Sequence, residues 1–316
     1  DYYAFVKTLP TTYTFMGDRG PQVGYPQNYG THNLVYQYRQ MVLAKYKTLR
    51  AIEKAYGMDL VDQEQLMPPF ERWFERPFMP EYTARLDEYL MFKDRLSPEH
   101  KIPIPAESTW NQHLRVTYST VEAANKELGT HYTSIEDADM ALTLPRNGSV
   151  TLQKAWEDVV RNDMPIWYIR ADTSARPMWV AFLRERYQQN FSEYKKSHPK
   201  TTFTRFEDIP LPAETPYKDG VSAGEWSEFI AKGLPVGAIR LDTPEQRYRD
   251  YLRSTKEYAA IEDVNAVYGT QYADFASIYL PTVSVLTAES KLKSGAIRWE
   301  FAARNYKTVA NYLLLH

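Results

Sequence analysis

Cysteine is missing from the 316 residues of this chain. That absence excludes disulfides, thiolate nucleophiles and zinc–thiolate sites. It also fits an oxidising extracytoplasmic compartment, where a stray thiol is a liability. Neither sign of charge is in excess: 38 basic and 40 acidic side chains leave a formal net charge of −2. The basic surplus that nucleic acid demands is absent, and no block of like charge forms a polybasic anchor. No run of about 18 apolar residues occurs, so the given segment does not itself span a membrane. Histidine is scarce, at six residues. No two of them stand four apart with a glutamate, as a zinc-protease helix requires. A Gly-x-Ser-x-Gly elbow, a Gly-rich phosphate loop and a dinucleotide fingerprint are all lacking.

Tyrosine is plentiful, at 25 residues. Tyr248, Tyr251, Leu252, Thr255 and Tyr258 recur three and four apart. That spacing makes one helix face and assigns most of the aromatics to a core. Tyr13, Tyr25 and Tyr29, in a tyrosine- and proline-rich N-terminal stretch, fit no period and are expected to be exposed contacts. Gly17-Asp18-Arg19-Gly20-Pro21 in that stretch reads as a turn.

Self-similarity organises the rest. Val121-Glu122-Ala123-Ala124-Asn125-Lys126-Glu127-Leu128-Gly129-Thr130-His131-Tyr132 matches Ile261 to Tyr272, which holds Glu262, Asn265, Gly269 and Thr270 in the same places. Leu49 to Leu60 keeps Ile52, Ala55, Tyr56 and Gly57. Each glycine follows a helix-period segment and predicts a helix end with positive φ. Thr120 before Val121-Glu122 predicts an N-cap with an acidic first turn. After each glycine the chain runs to a proline: Pro69, Pro145 and Pro281, with a small insertion before Pro145.

A second signature is Pro-x6-Asp, at Pro165–Asp172 and Pro235–Asp242, with Pro80–Asp87 as a third version. Trp156 and Trp226 stand nine residues before the first two prolines, and Trp73 lies near that point in the third. Recurrence argues against catalysis by these aspartates, because a catalytic constellation is asymmetric and single. The expected role of Asp87, Asp172 and Asp242 is to cap the following helix. Arg85, Arg170 and Arg240 are expected to pair with a carboxylate or carbonyl. Glu136-Asp137-Ala138-Asp139 lacks EF-hand spacing and reads as a solvated helix start.

The fold class expected is mainly α, an array of about four degenerate helical repeats with few or no short β-strands. The boundaries read as 1–28 for the N-terminal stretch and 29–69, 70–145, 152–212 and 226–281 for the repeats. Residues 282–316 form a C-terminal segment. The first repeat reads as truncated, the second as carrying an insertion at 93–108, and the third as worn, with Ser197-His198-Pro199 where glycine belongs. No catalytic residue, metal ligand or cofactor site is assigned, and ligand-binding residues are not identified. The ending Leu313-Leu314-Leu315-His316 is expected to be a point of excision from a longer chain.

Two features carry a resemblance. The Asn-x3-Gly-Thr-x-Tyr repeat resembles modules of large loops inserted into some bacterial carbohydrate ABC-transporter permeases. Ile297-Arg298-Trp299-Glu300-Phe301-Ala302-Ala303-Arg304-Asn305-Tyr306-Lys307-Thr308-Val309 is similar to the stretch that enters the second core transmembrane helix of such permeases. The resemblance implies a non-catalytic extracytoplasmic domain between the first two core helices, on the periplasmic side of the bacterial inner membrane. Such a domain docks or positions the solute-binding protein, and its permease works with a partner permease subunit and an ATPase. The flanking membrane helices would lie outside this chain, and no nucleic acid is implied. The alternatives are a carbohydrate-active enzyme fragment and a soluble sugar-binding module. Against a barrel enzyme, no alternating series of eight strands and helices is visible.

Overall fold

The computed structural model describes residues 2–17, 34–76, 78–135, 138–254 and 258–280. It is mainly helical, with two small two-stranded sheets among the described residues. The elements are α1 (Tyr2–Val6), β1 (Thr14–Met16), α2 (Leu34–Tyr46), α3 (Leu49–Tyr56), α4 (Ala84–Arg95), β2 (Lys101–Pro103), α5 (Glu107–Tyr118) and α6 (Val121–Leu128). They continue with α7 (Val150–Asp158), β3 (Ile169–Ala171), α8 (Arg176–Arg186), α9 (Phe191–Ser197), α10 (Gly220–Glu228), β4 (Ile239–Leu241), α11 (Pro244–Ser254) and α12 (Ile261–Tyr268).

Read in order, one module recurs four times: a leading helix, a three-residue 3-10 turn, a three-residue strand, a long helix and a short helix. The 3-10 turns are Thr11–Tyr13, Pro98–His100, Ile166–Tyr168 and Val236–Ala238. This order begins the first module at Tyr2, so α1 and β1 supply a front half that the sequence reading left outside the repeats. Tyr13, expected as an exposed contact, is buried in that turn. Tyr25 and Tyr29 lie outside the described residues.

The second module's turn and strand fall within 98–103, inside the stretch read as an insertion. Pro80–Asp87 is therefore no copy of the proline–aspartate device. Ser97 stands where the other modules have proline, which hid the true position. Asp87 sits in the first turn of α4, and Thr83 is the cap.

The helix ends follow the expected physics. Gly57, Gly129 and Gly269 have φ of 64°, 70° and 65°, the left-handed conformation that closes a helix without a Cβ penalty. Each glycine N–H bonds the carbonyl four residues back. Thr48 and Thr120 cap α3 and α6 through their hydroxyls. Lys47, Ser119 and Gln188, just past the long helices, also have positive φ and turn the chain into the short helix.

Asn125 clamps the chain that leaves α6. Its side-chain oxygen accepts from the Tyr132 N–H at 2.8 Å, and its amide donates to the Tyr132 carbonyl at 2.8 Å. Asn265 repeats this on Tyr272 at 2.8 and 2.9 Å. In the first module Glu53 stands in the same place and accepts from the Leu60 N–H at 3.0 Å.

The chain forms two compact units. Unit 1 comprises 1–73, 81–105 and 244–316; unit 2 comprises 74–80 and 106–243. Unit 1 thus holds the leading helices and strands of modules one and two with the helix pairs α2–α3 and α11–α12. Unit 2 holds those of modules three and four with α5–α6 and α8–α9. In unit 1, Tyr38, Val42, Ile52, Leu60, Leu66, Tyr89 and Phe92 form a core. In unit 2, Trp110, Trp156, Trp167, Trp179 and Trp226 are all buried.

Candidate functional site

The two strand pairs share one design. In unit 1, β1 and β2 run antiparallel with Phe15 opposite Ile102; in unit 2, β3 and β4 place Arg170 opposite Arg240. Reciprocal backbone bonds flank each pair. Asp172 N–H donates to Ala238 and Asp242 N–H to Tyr168, both at 2.8 Å. Gly17 N–H to His100 and Ile104 N–H to Tyr13, both at 3.0 Å, occupy the equivalent positions in unit 1. A Cβ at Gly17, which stands where unit 2 has aspartate, would require the Ile102 side chain to move.

The recurring charged residues of unit 2 close on one another. Arg170 pairs with Asp242 at 3.1 Å and Arg240 with Asp172 at 2.5 Å. Asp172 also caps the following turn by accepting from Ser174 N–H at 2.9 Å, and these contacts hold its carboxyl below the usual range. The capping role expected for all three aspartates is therefore met by Asp172; Asp87 has a threonine in that role. Arg85 donates to the Met67 carbonyl at 2.8 Å.

The leading helices α7 and α10 each run on into a five-residue π-turn, Val159–Asp163 and Phe229–Gly233. Carbonyls at these turns are taken up by arginines. Arg161 donates to Ile230 at 2.7 Å and Leu234 at 3.0 Å, and Arg76 to Met164 at 3.2 Å.

Each unit also buries a glutamate of a leading helix beneath the end of a long helix. In unit 1 the acid is Glu88, which accepts from Lys45 at 2.8 Å, from the Tyr56 hydroxyl at 2.6 Å and from the Tyr46 hydroxyl. In unit 2 it is Glu225, which accepts from the Tyr187 hydroxyl and lies 3.9 Å from Arg186. Lys45-Tyr46 and Arg186-Tyr187 are the matching ends of α2 and α8. Burial raises the Glu225 carboxyl above its ordinary range, and the Tyr187 hydroxyl that donates to it is pushed up to about 12. Unit 1 holds a further buried charge: Lys93 donates to Glu71 and to the carbonyls of Thr11, at 2.8 Å, and Thr14.

The third module departs from its siblings here. His198 replaces the helix-ending glycine and Tyr194 replaces the clamping asparagine. The His198 ring stacks on Tyr194 at 4.0 Å and brings Nε2 within 3.3 Å of Glu225. The segment that follows α9, which lacks the clamp, borders a cleft of about 590 Å³ together with α8, α9 and α10. Trp179, Tyr194, Phe203 and Tyr217 line it, together with Pro210, Pro212 and Pro216. Its charged lining is Glu214, Lys218, Asp219 and Glu225.

The insertion before Pro145 borders a second cleft of about 560 Å³, lined by Arg146, Arg240, Thr143 and Asn147. Both clefts thus sit where a module departs from the repeat. No sequence signal marked the first beyond the worn glycine position at His198.

Other expected features fall elsewhere. Asp139 is exposed between the buried Ala138 and Met140, and the described residues 138–140 are not helical; Glu136 and Asp137 of the acidic run lie outside the described residues. Among the described residues no group of three His, Asp or Glu is placed to hold a metal ion. No helix among them is long and apolar enough to cross a membrane. The segment 297–309 lies outside the described residues. Compared with known proteins, the chain matches no family model, no curated protein and no solved structure.

Proposed function

We propose that this chain is the extracytoplasmic domain of a carbohydrate ABC-transporter permease, carried between its first two core membrane helices. Its work is to dock or position the solute-binding protein, with no chemistry of its own. The observation that carries this reading is the Ile297–Val309 segment, whose Asn305-Tyr306-x-x-Val309 pattern resembles the approach to a core membrane helix.

Two structural facts support it. The recurring polar residues are engaged within a module, as at Asn125 and Asn265, or between two modules, as in the Arg170–Asp242 pair, which makes them architectural. Unit 1 also presents Val61, Met67 and Phe70 to solvent along the connection from α3 to α4, with Phe70 92% exposed. Exposed apolar side chains among polar neighbours suit the moderate, partly polar contacts of transient association.

The test uses the whole permease in nanodiscs with its ATPase and binding protein. Phe70→Asp combined with Val61→Asp is expected to weaken binding-protein association at least tenfold and to reduce binding-protein-stimulated ATP hydrolysis, with basal hydrolysis unchanged. Unaltered association overturns the docking surface. A reading frame lacking apolar segments of about 20 residues on both sides of this chain overturns the membrane setting.

A further inference from the structure

Both units close a buried glutamate between the end of a long helix and the end of a short one, but the short helix brings a different partner in each. In unit 1 it is Tyr56 of α3, whose hydroxyl donates to Glu88 Oε2 at 2.6 Å. In unit 2 it is His198, the residue that ends α9, whose Nε2 stands 3.3 Å from Glu225 Oε2. A phenol keeps its proton at any ordinary pH, and burial pushes that of Tyr56 further up. An imidazole nitrogen carries one only conditionally.

The other nitrogen of the ring fixes the condition. Nδ1 of His198 lies 3.1 Å from the Tyr194 carbonyl oxygen, which only accepts, so Nδ1 holds a hydrogen. In the neutral ring Nε2 is then bare, with no other partner among the described residues. Its lone pair faces Oε2 of Glu225, whose Oε1 already accepts from the Tyr187 hydroxyl. Two buried acceptors face each other only at a cost. One proton between them removes the conflict: the imidazolium donates to the carboxylate, or the carboxyl donates to the neutral ring. The neighbours do not take its place. Arg186 of α8 stays 3.9 Å from Glu225 and pairs with Glu228 of α10, while Asp219 of α10 adds negative charge. The hydroxyls of Tyr187 and Tyr194 are both pushed up to about 12; the first is spent on Oε1, and the ring of the second stacks on His198. Beyond α9, Glu214 and Lys218 share the cleft lining with Glu225.

We propose that His198 and Glu225 form a one-proton latch, which fastens the end of α9 to α10 and lets go when the proton leaves as pH rises. The release reaches the segment beyond α9, where Thr201 N–H bonds the His198 carbonyl at 2.9 Å and Phe206 packs on Phe191 and Tyr194. Tyr194 and Phe203 line the cleft, so its wall on this side loosens with the latch. The unfolded chain gives up the proton near the ordinary histidine value of about 6.5, so the stability from the latch is present there and lost at higher pH. Unit 1, with a hydroxyl in the same role, stays fastened. The inference requires neither the membrane setting nor a binding protein.

The experiment is hydrogen–deuterium exchange of the whole chain from about pH 6 to about pH 9, each rate divided by the intrinsic amide rate at that pH. Protection of α9 and residues 199–209 is expected to fall at least tenfold, while that of α3 and residues 58–69 stays within about twofold. Glu225→Gln donates its amide to the bare Nε2 and still accepts from Tyr187, so it is expected to keep α9 protected across the range. His198→Phe keeps the stacking but carries no proton, and is expected to leave α9 poorly protected throughout. Long-range 1H–15N NMR of the parent chain should find the hydrogen of His198 on Nδ1 at every pH, with the Nε2 signal moving as protection falls. An equal fall in both units, no fall in α9, a fall in Glu225→Gln that matches the parent, or a neutral ring with its hydrogen on Nε2 overturns the proposal.

Discussion

In unit 1 the paired strands meet at Phe15 and Ile102, whereas the same positions of unit 2 hold Arg170 and Arg240. The backbone bonds around them are equivalent, so the strand pair does not depend on what fills its middle. The difference lies in where charge is kept beside the strands. Unit 1 buries it there, with Lys93 fully enclosed against Glu71 and the carbonyls of Thr11 and Thr14. Unit 2 holds it nearer the surface, where Arg240 is mostly exposed. A buried ion pair is costly to break because the remaining partner is stranded, while an exposed pair contributes little. Two units of one design should therefore fail differently.

The largest effect is expected at Lys93. Lys93→Ala strands Glu71 and should cost about 3–5 kcal/mol in urea unfolding followed in unit 1. Burial also holds the Lys93 ammonium down to about 8, below its ordinary 10.5. Between those values the unfolded chain binds more protons than the folded one, so this residue's contribution to stability rises with pH across the window. Subtracting the Lys93→Ala curve from that of the parent chain at pH 8 and pH 10 should reveal the slope; a flat difference would refute the buried charge.

Next come the clamps. Asn125→Ala in unit 2 and Asn265→Ala in unit 1 each strand backbone groups of the exit segment and should cost about 1–3 kcal/mol. Near-equal losses would show that the clamp is independent of its unit; a loss in only one would break the equivalence.

Glu225 is expected to act through pH. Its carboxyl is raised by burial above the ordinary 4.5. The folded state then holds the proton longer, and the stability that this residue contributes is lost as pH rises from 4.5 through its folded value. Glu225→Gln should remove that slope in thermal melts of unit 2, and persistence of the slope would assign it elsewhere.

The smallest effect is expected at the paired arginines. Arg170→Ala, half of a partly exposed pair, should cost no more than about 1 kcal/mol, and the more exposed Arg240→Ala less. A loss matching that of Lys93→Ala would erase the contrast between the units.

Much of this was legible in the sequence wherever local chemistry is strong. Left-handed glycines, threonine caps and the Asn-x3-Gly-Thr motif act within eight residues, and the structure uses them as their chemistry requires. The strand pairs were not legible. Three residues are too few for a periodic signal, and what fixes them is pairing across 68 or more positions. For the same reason Pro80–Asp87 passed as a copy. Its spacing was right, but spacing carries no information about which carbonyl an N–H will meet. Lys93, inside a charged helix, gave no sign of being enclosed, because the groups that bury it come from Thr11, Thr14 and Glu71. The cleft was visible only as a defect, a histidine where glycine was due.

The reciprocal strand bonds set a rule of parity. Each three-residue strand pairs with the strand of a second module, β1 with β2 and β3 with β4, and β4 also takes a bond from Leu241 N–H to the Leu142 carbonyl. A lone module would leave that edge open to water or to a foreign chain, and three modules would leave one unmatched. Chains of this design should therefore lengthen by pairs, so that a relative with two or six modules is readily built and one with five is not.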